Sequence, residues 1–133
     1  MTMTATPVFV QTPKTFIATL TSPTAITSRA NIVGTTGLVA LTDATTNGFR
    51  LDNLTVKFKE TSVVGFVGIW LYDGTTSYLW KEIEVTAITP SATIKSFESS
   101  TDYSDTNLIP AQRLYVSSTI DQDFTVFANG GAW

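Results

Sequence analysis

The chain is 133 residues long, which allows one domain with a core that needs no disulfide or metal staple. It has neither cysteine nor histidine, so disulfides, Ser-His-Asp and Cys-His catalysis, imidazole bases and most zinc sites are excluded together. A net charge of −3 offers no cationic footprint for nucleic acid, and no stretch nears the roughly 20 apolar residues of a membrane span.

Charged residues make up 14% of the chain, against about a quarter in ordinary soluble domains. In their place stand 25 Thr and 11 Ser. β-Branched hydroxyl residues suit strands, and a surface this poor in charge fits a crowded assembly or an extracellular setting better than free cytosol.

Taken in chain order, the N-terminus MTMTATPVFVQTPK has no basic region and no apolar run of signal-peptide length. It points to a protein made in the cytoplasm and not addressed to a membrane. Residues 1–13 hold Pro7 and Pro13, which force extended neighbours, and they read as an arm. That arm is either a frayed terminus or a docking segment with Val8, Phe9 and Val10 as its adhesive part.

Short β-branched runs then alternate with turn signals, and no segment has helical period. TFIATLT (15–21) is a first strand, closed by Ser22-Pro23, and GLVALTDA (37–44) a second, before the turn-prone TTNG. FRLDNLTVKFK (49–59) alternates cleanly, with Leu54, Val56 and Phe58 on one face and Thr55, Lys57 and Lys59 on the other. SVVGFVGIWLY (62–72) is apolar on both faces, and its glycines at 65 and 68 signal a bulge or a close approach by another backbone. Across Asp73-Gly74 follows YLWKEIEV (78–85), then SATIKSFES (91–99), RLYVSST (113–119) and DFTVFAN (123–129). Residues 100–111 (STDYSDTNLIPA) read as the longest loop. About eight strands at roughly ten-residue spacing describe an all-β, single-domain antiparallel β-sandwich, jelly-roll-like, over 14–133, with a barrel as the alternative.

Four patterns are candidates for chemistry. Glu82 and Glu84 share a strand face, about 7 Å apart, and alternation places Tyr78 and Trp80 on that face too, as a sugar-cleaving or sugar-binding site would need. The plainer reading is a solvated strand face near cross-strand lysines. Asp121 with Asp123, and Asp102 with Asp105, could offer oxygens to calcium, but lack EF-hand spacing and suit turns equally well. NIVGTTG (31–37) and ANGGAW (128–133) fit no phosphate-loop pattern and read as turns. Finally, Trp70, Tyr72, Tyr78, Trp80 and Trp133 are more aromatics than one sandwich face can hide, which points to a homo-oligomer interface or to loops folded over the strand.

FVQTPK (9–14), NGFRLDNLTVK (47–57), WLYDGTTSYLWKEIEVTAITPSAT (70–93), LIPAQRLYVSST (108–119) and FTVFANGG (124–131), in this order and spacing, resemble small structural proteins of tailed bacteriophages that include capsid decoration (cement) proteins. The ending Ala132-Trp133 departs from that pattern, in which an acidic residue precedes the aromatic. The resemblance implies a non-enzymatic virion protein without cofactor or metal, bound to the major capsid protein on the capsid exterior. It further implies a homo-oligomer, with a trimer favoured, and no nucleic-acid or membrane partner. The arm, through Pro7, Val8, Phe9, Val10 and Pro13, would lie on the shell, and the aromatic hairpin would join protomers. A receptor- or glycan-binding virion module using Tyr78 and Trp80, or a tail or fibre component, is the alternative.

Overall fold

The structure is a computed structural model that describes residues 12–30, 34–42 and 48–133, apart from the side chains of Ser104 and Asp105. Pro7, Val8, Phe9 and Val10 lie outside the described residues, as does the end of the expected second strand with most of TTNG. Eight strands follow in chain order: β1 (Thr12–Leu20), β2 (Val39–Ala40), β3 (Phe49–Phe58), β4 (Gly65–Tyr72), β5 (Ser77–Val85), β6 (Glu98–Leu108), β7 (Arg113–Ser118) and β8 (Phe124–Ala132).

They form two antiparallel four-stranded sheets, ordered β1-β8-β3-β6 and β2-β7-β4-β5. That is the strand order of a jelly roll, in which the chain passes repeatedly from one sheet to the other. The first and last strands lie side by side, with Thr12 opposite Ala132 and Leu20 opposite Phe124.

The core lies where the inward residues of both sheets meet. Leu54, Val56 and Phe58 of β3 are fully buried, as alternation requires, and Leu51 joins them across a register shift between Leu51 and Asn53; they face Val67 and Ile69 of β4, Val85 of β5 and Leu114 and Val116 of β7. Phe58 anchors one end, stacked on Phe124 at 5.1 Å and meeting Phe97 edge-on at 5.6 Å. Phe16 meets Phe49 edge-on near the other. The outer face of the β1-β8-β3-β6 sheet is polar and cross-linked around Asn53, with Ile17 and Phe127 as apolar residues beside that row. Thr15 Oγ1 donates to Asn129, the Asn129 amide to Asn53, and the Asn53 amide to Ser100 and Asp102.

Three expectations change. Pro13 belongs to β1 and not to an arm; it is tolerated because β1 is an edge strand, where a missing N–H need not break a ladder. Residues 100–108 of the expected loop belong to strand β6 (Glu98–Leu108), whereas 91–97 of the expected strand 91–99 are not strand. β6 is a sheet edge on which Ser100, Thr101 and Asp102 are exposed and Ser100 and Asp102 bond to Asn53, so its sequence carries too few apolar residues to show alternation. ANGGAW is no turn either, because β8 runs through Gly130 and Gly131 to Ala132.

Glycine is required at position 130 because a Cβ there would run into the Arg50 carbonyl and the Phe49 ring. Gly130→Ala should therefore separate β8 from β3 and lower unfolding stability by about 3 kcal/mol in urea titration.

Candidate functional site

The aromatic hairpin β4–β5 is the feature that sequence singled out, and its local geometry explains where each side chain goes. Asp73 closes the turn by accepting hydrogen bonds from the backbone N–H groups of Thr75 and Thr76, while Gly74 takes φ +107°. Those N–H donors, Thr76 first, hold the Asp73 carboxyl below the ordinary carboxylate value. The Tyr72 hydroxyl donates to the Gly74 carbonyl and fixes the turn from the strand side.

Strict alternation fails at one place. Ile69 pairs with Lys81 and Trp70 with Leu79, which leaves Trp80 as the extra residue of a β-bulge. Leu79, and not Tyr78 or Trp80, therefore stands beside Trp70 on the outer face. Trp80 is turned onto the rim of the main core between the edge strands β5 and β6. Its ring lies 5.1 Å from that of Tyr103, and Lys81 Nζ sits 5.3 Å from Trp80 and 5.8 Å from Tyr103. Burial raises the Tyr103 phenol above its usual range, against a weaker opposing hydrogen bond with Thr101. A cleft of about 350 Å³ opens beside Trp80, lined also by Leu71, Thr106, Asn107, Leu108 and Gln112.

At Trp70 the outer face of β4 is covered by the chain itself, while Phe66 nearer its start stays 38% exposed. The segment after β1 crosses this face, and Ile26 donates its N–H to the Ser118 carbonyl at 2.8 Å. Ile26 and Leu38 close over Trp70, with Leu79 and Tyr115 at the sides, as a second small core. Trp70 is 1% exposed, and its Nε1–H donates to Ser117 Oγ at 2.8 Å. Gly68 leaves room for that bond, since a Cβ there would press on Ser117 Oγ and the indole. Arg29 of the covering segment is paired with Glu82 across a cleft of about 270 Å³ floored by Gly68 and Trp70.

The five aromatics of the expected interface are thus dispersed. Trp70 is corrected from an interface residue to a core residue, because the covering segment supplies the apolar partners that a neighbouring copy was expected to supply. Tyr72 packs edge-on against Tyr115 at 5.4 Å beneath the Arg113 guanidinium. Tyr78 is 55% exposed, and the half-buried Trp133 donates its N–H to the Gly48 carbonyl. No single stacking platform forms from Tyr78 and Trp80.

Glu82 and Glu84 do share an exposed face, but the partner of Glu82 is Arg29 and not a cross-strand lysine. Asp123 accepts the Ser22 N–H and Asp102 the Asn53 amide, both as structural bonds. Among the described residues no group of three or more Asp or Glu could hold a metal ion. Sequence reasoning missed Tyr103 and Arg29, and no local signal marks either, since both act through contacts more than 20 positions away. Compared with family models, curated proteins and solved structures, the chain matches none.

Trp70→Phe keeps an aromatic ring, though a smaller one, and removes the N–H, leaving Ser117 without its donor. It should lower stability by about 1–3 kcal/mol in denaturant titration, and Ser117→Ala in that background should recover part of the loss. Because the folded-state value of Asp73 is depressed, its contribution is present above the ordinary value of 3.8 and fades as pH falls through the lower folded value. Asp73→Ala should accordingly lose less stability than the native chain on acidification across that range, measured as the shift in thermal midpoint.

Proposed function

We propose that this chain is a non-enzymatic structural protein of a phage virion, a decoration protein that binds the outer surface of the head through the major capsid protein and stabilises capsomer seams. One observation carries the reading beyond the sequence resemblance. β1 begins at the end of the sandwich that also holds the β4–β5 turn, the β6–β7 connection and the C-terminus. Exposed Tyr78 (55%) and Ile109 (62%) sit at this end with Trp133, so the described chain starts beside an apolar rim. Such a rim at one end of the body offers an attachment face for a shell. The jelly roll itself recurs in viral capsid domains, which is support by fold analogy only.

Energetically, a protein that binds only the assembled lattice stabilises it by mass action, about 2.7 kcal/mol per site at a free concentration of roughly one hundred Kd. Many copies at equivalent positions multiply this term. A homo-oligomer, with a trimer favoured, would use the exposed parts of Tyr72, Tyr78, Trp80 and Trp133. In this reading the protein resides on the capsid exterior after synthesis in the host cytoplasm.

A second reading has its own observation. Trp80, packed on Tyr103 with Lys81 over both rings, borders a cleft whose amides come from Asn107 and Gln112. An aromatic face beside amide groups is what a glycan site uses, and jelly rolls also serve as lectin domains.

Cryo-EM of purified particles should place the protein on the outer head surface, and its location on the tail or fibres would overturn the first reading. A chain lacking residues 2–11, with β1 intact, should bind capsids at least about tenfold more weakly, a loss of about 1.4 kcal/mol. Undiminished binding would remove the arm from the contact. Tryptophan fluorescence titrated with simple sugars should stay flat; a saturable change abolished by Trp80→Phe would favour the glycan reading.

A further inference from the structure

The jelly roll leaves four sheet edges, and three of them are guarded against pairing. β2 is only two residues long. β5 carries Lys81, Glu82 and Glu84, and β6 carries Glu98 and Asp102. Short length and charge are the usual protections of an edge. β1 is guarded only at its start, by Pro13 and Lys14. It runs nine residues along the rim of its sheet, and from Thr15 to Leu20 it holds no charge. Ile17, at its middle, is 60% exposed and lies opposite Phe127 on the outer face.

The sequence around Ile17 is nearly its own mirror: Thr15-Phe16-Ile17-Ala18-Thr19. Thr15, Ile17 and Thr19 face outward, while Ala18 is buried and Phe16 packs against the core from its margin. Two copies of β1 placed antiparallel about a two-fold axis through Ile17 would set Ile17 against Ile17. Thr15 would then meet Thr19 at both ends, and large Phe16 would meet small Ala18 on the inner side. Lys14 would fall opposite Leu20, so no like charges oppose; the two lysines would stand about 20 Å apart. Pro13, which cannot donate, would end the ladder just beyond Lys14. Shifting the centre to Phe16 would set Phe16 against itself and Thr15 against Ile17, so the fit favours the Ile17 centre over that one.

We infer that β1 is a self-pairing edge, through which two copies join antiparallel about Ile17 into one continuous eight-stranded sheet. The contact is isologous and closes on two copies, so it does not propagate into fibres. It is two-fold, hence distinct from any three-fold contact, and it rests on β1 alone without reference to a capsid.

The natural absence of cysteine makes the test direct. Ile17→Cys, Thr15→Cys and Thr19→Cys are each prepared in the full chain and exposed to a mild oxidant. Because the two-fold places position 17 against itself, Ile17→Cys should form a disulfide dimer roughly tenfold faster than either threonine variant alone. An equal mixture of Thr15→Cys and Thr19→Cys should yield their heterodimer in preference to either homodimer. In the cysteine-free chain, Ile17→Lys should shift light-scattering mass downward by twofold at a concentration where the native chain is paired, with an unchanged circular dichroism spectrum. The inference is overturned if Ile17→Cys stays monomeric, if Thr19→Cys cross-links as fast, or if Ile17→Lys leaves the mass of the native chain unaltered. A failed capsid-binding experiment would leave all of these readouts untouched.

Discussion

Strand β4 is apolar on both faces, and a two-layer sandwich has only one interior to offer it. The second face must be covered, and the protein does so with its own chain. The long passage from β1 to β2 is drawn across the outer side of the sheet, where Ile26 and Leu38 bury Trp70 and the Ser118 carbonyl fixes the crossing. Burial of a Trp side chain is worth several kcal/mol only if its N–H finds a partner, and Ser117 provides one. The Arg29–Glu82 pair and the cleft between them follow from that crossing.

The same constraint shows where the sequence could be read and where it could not. Alternation located β3, β-branched runs between turn signals located β7 and the first part of β8, and the apolar run located β4, because those strands face a core and their composition reports it. β6 escaped because a polar edge strand looks like a loop. β2 was drawn too long, for its described ladder amounts to Val39 and Ala40. The surplus of aromatics was legible; which part of the protein covers them was not. A covering loop and a neighbouring copy leave the same trace in composition, and only the path of residues 21–30 distinguishes them.

The hairpin site illustrates a second limit. Face assignments on β5 assume a period of two, and one bulged residue changes them for everything on its far side. Trp80 was grouped with Tyr78, Glu82 and Glu84 on that assumption. The bulge instead sends Trp80 toward Tyr103, across the open side of the sandwich, and makes it part of the seam between the two sheets. A bulge has no reliable mark in local composition, so the apparent sugar platform was a product of extrapolated pleating.

The pairing of β1 with β8 has a consequence for how the chain comes into being. The strand that starts the fold is matched, residue for residue, to the strand that ends it, with Thr12 beside Ala132. β8 also separates β1 from β3, so the sheet has a gap until the last residues arrive. Non-local pairing of this kind is slow, because the entropy of closing the longest loop must be overcome before the contact rewards it. On the ribosome, β1 must therefore wait until β8 has been made. Any event at β1, whether pairing or docking, is timed by the arrival of β8.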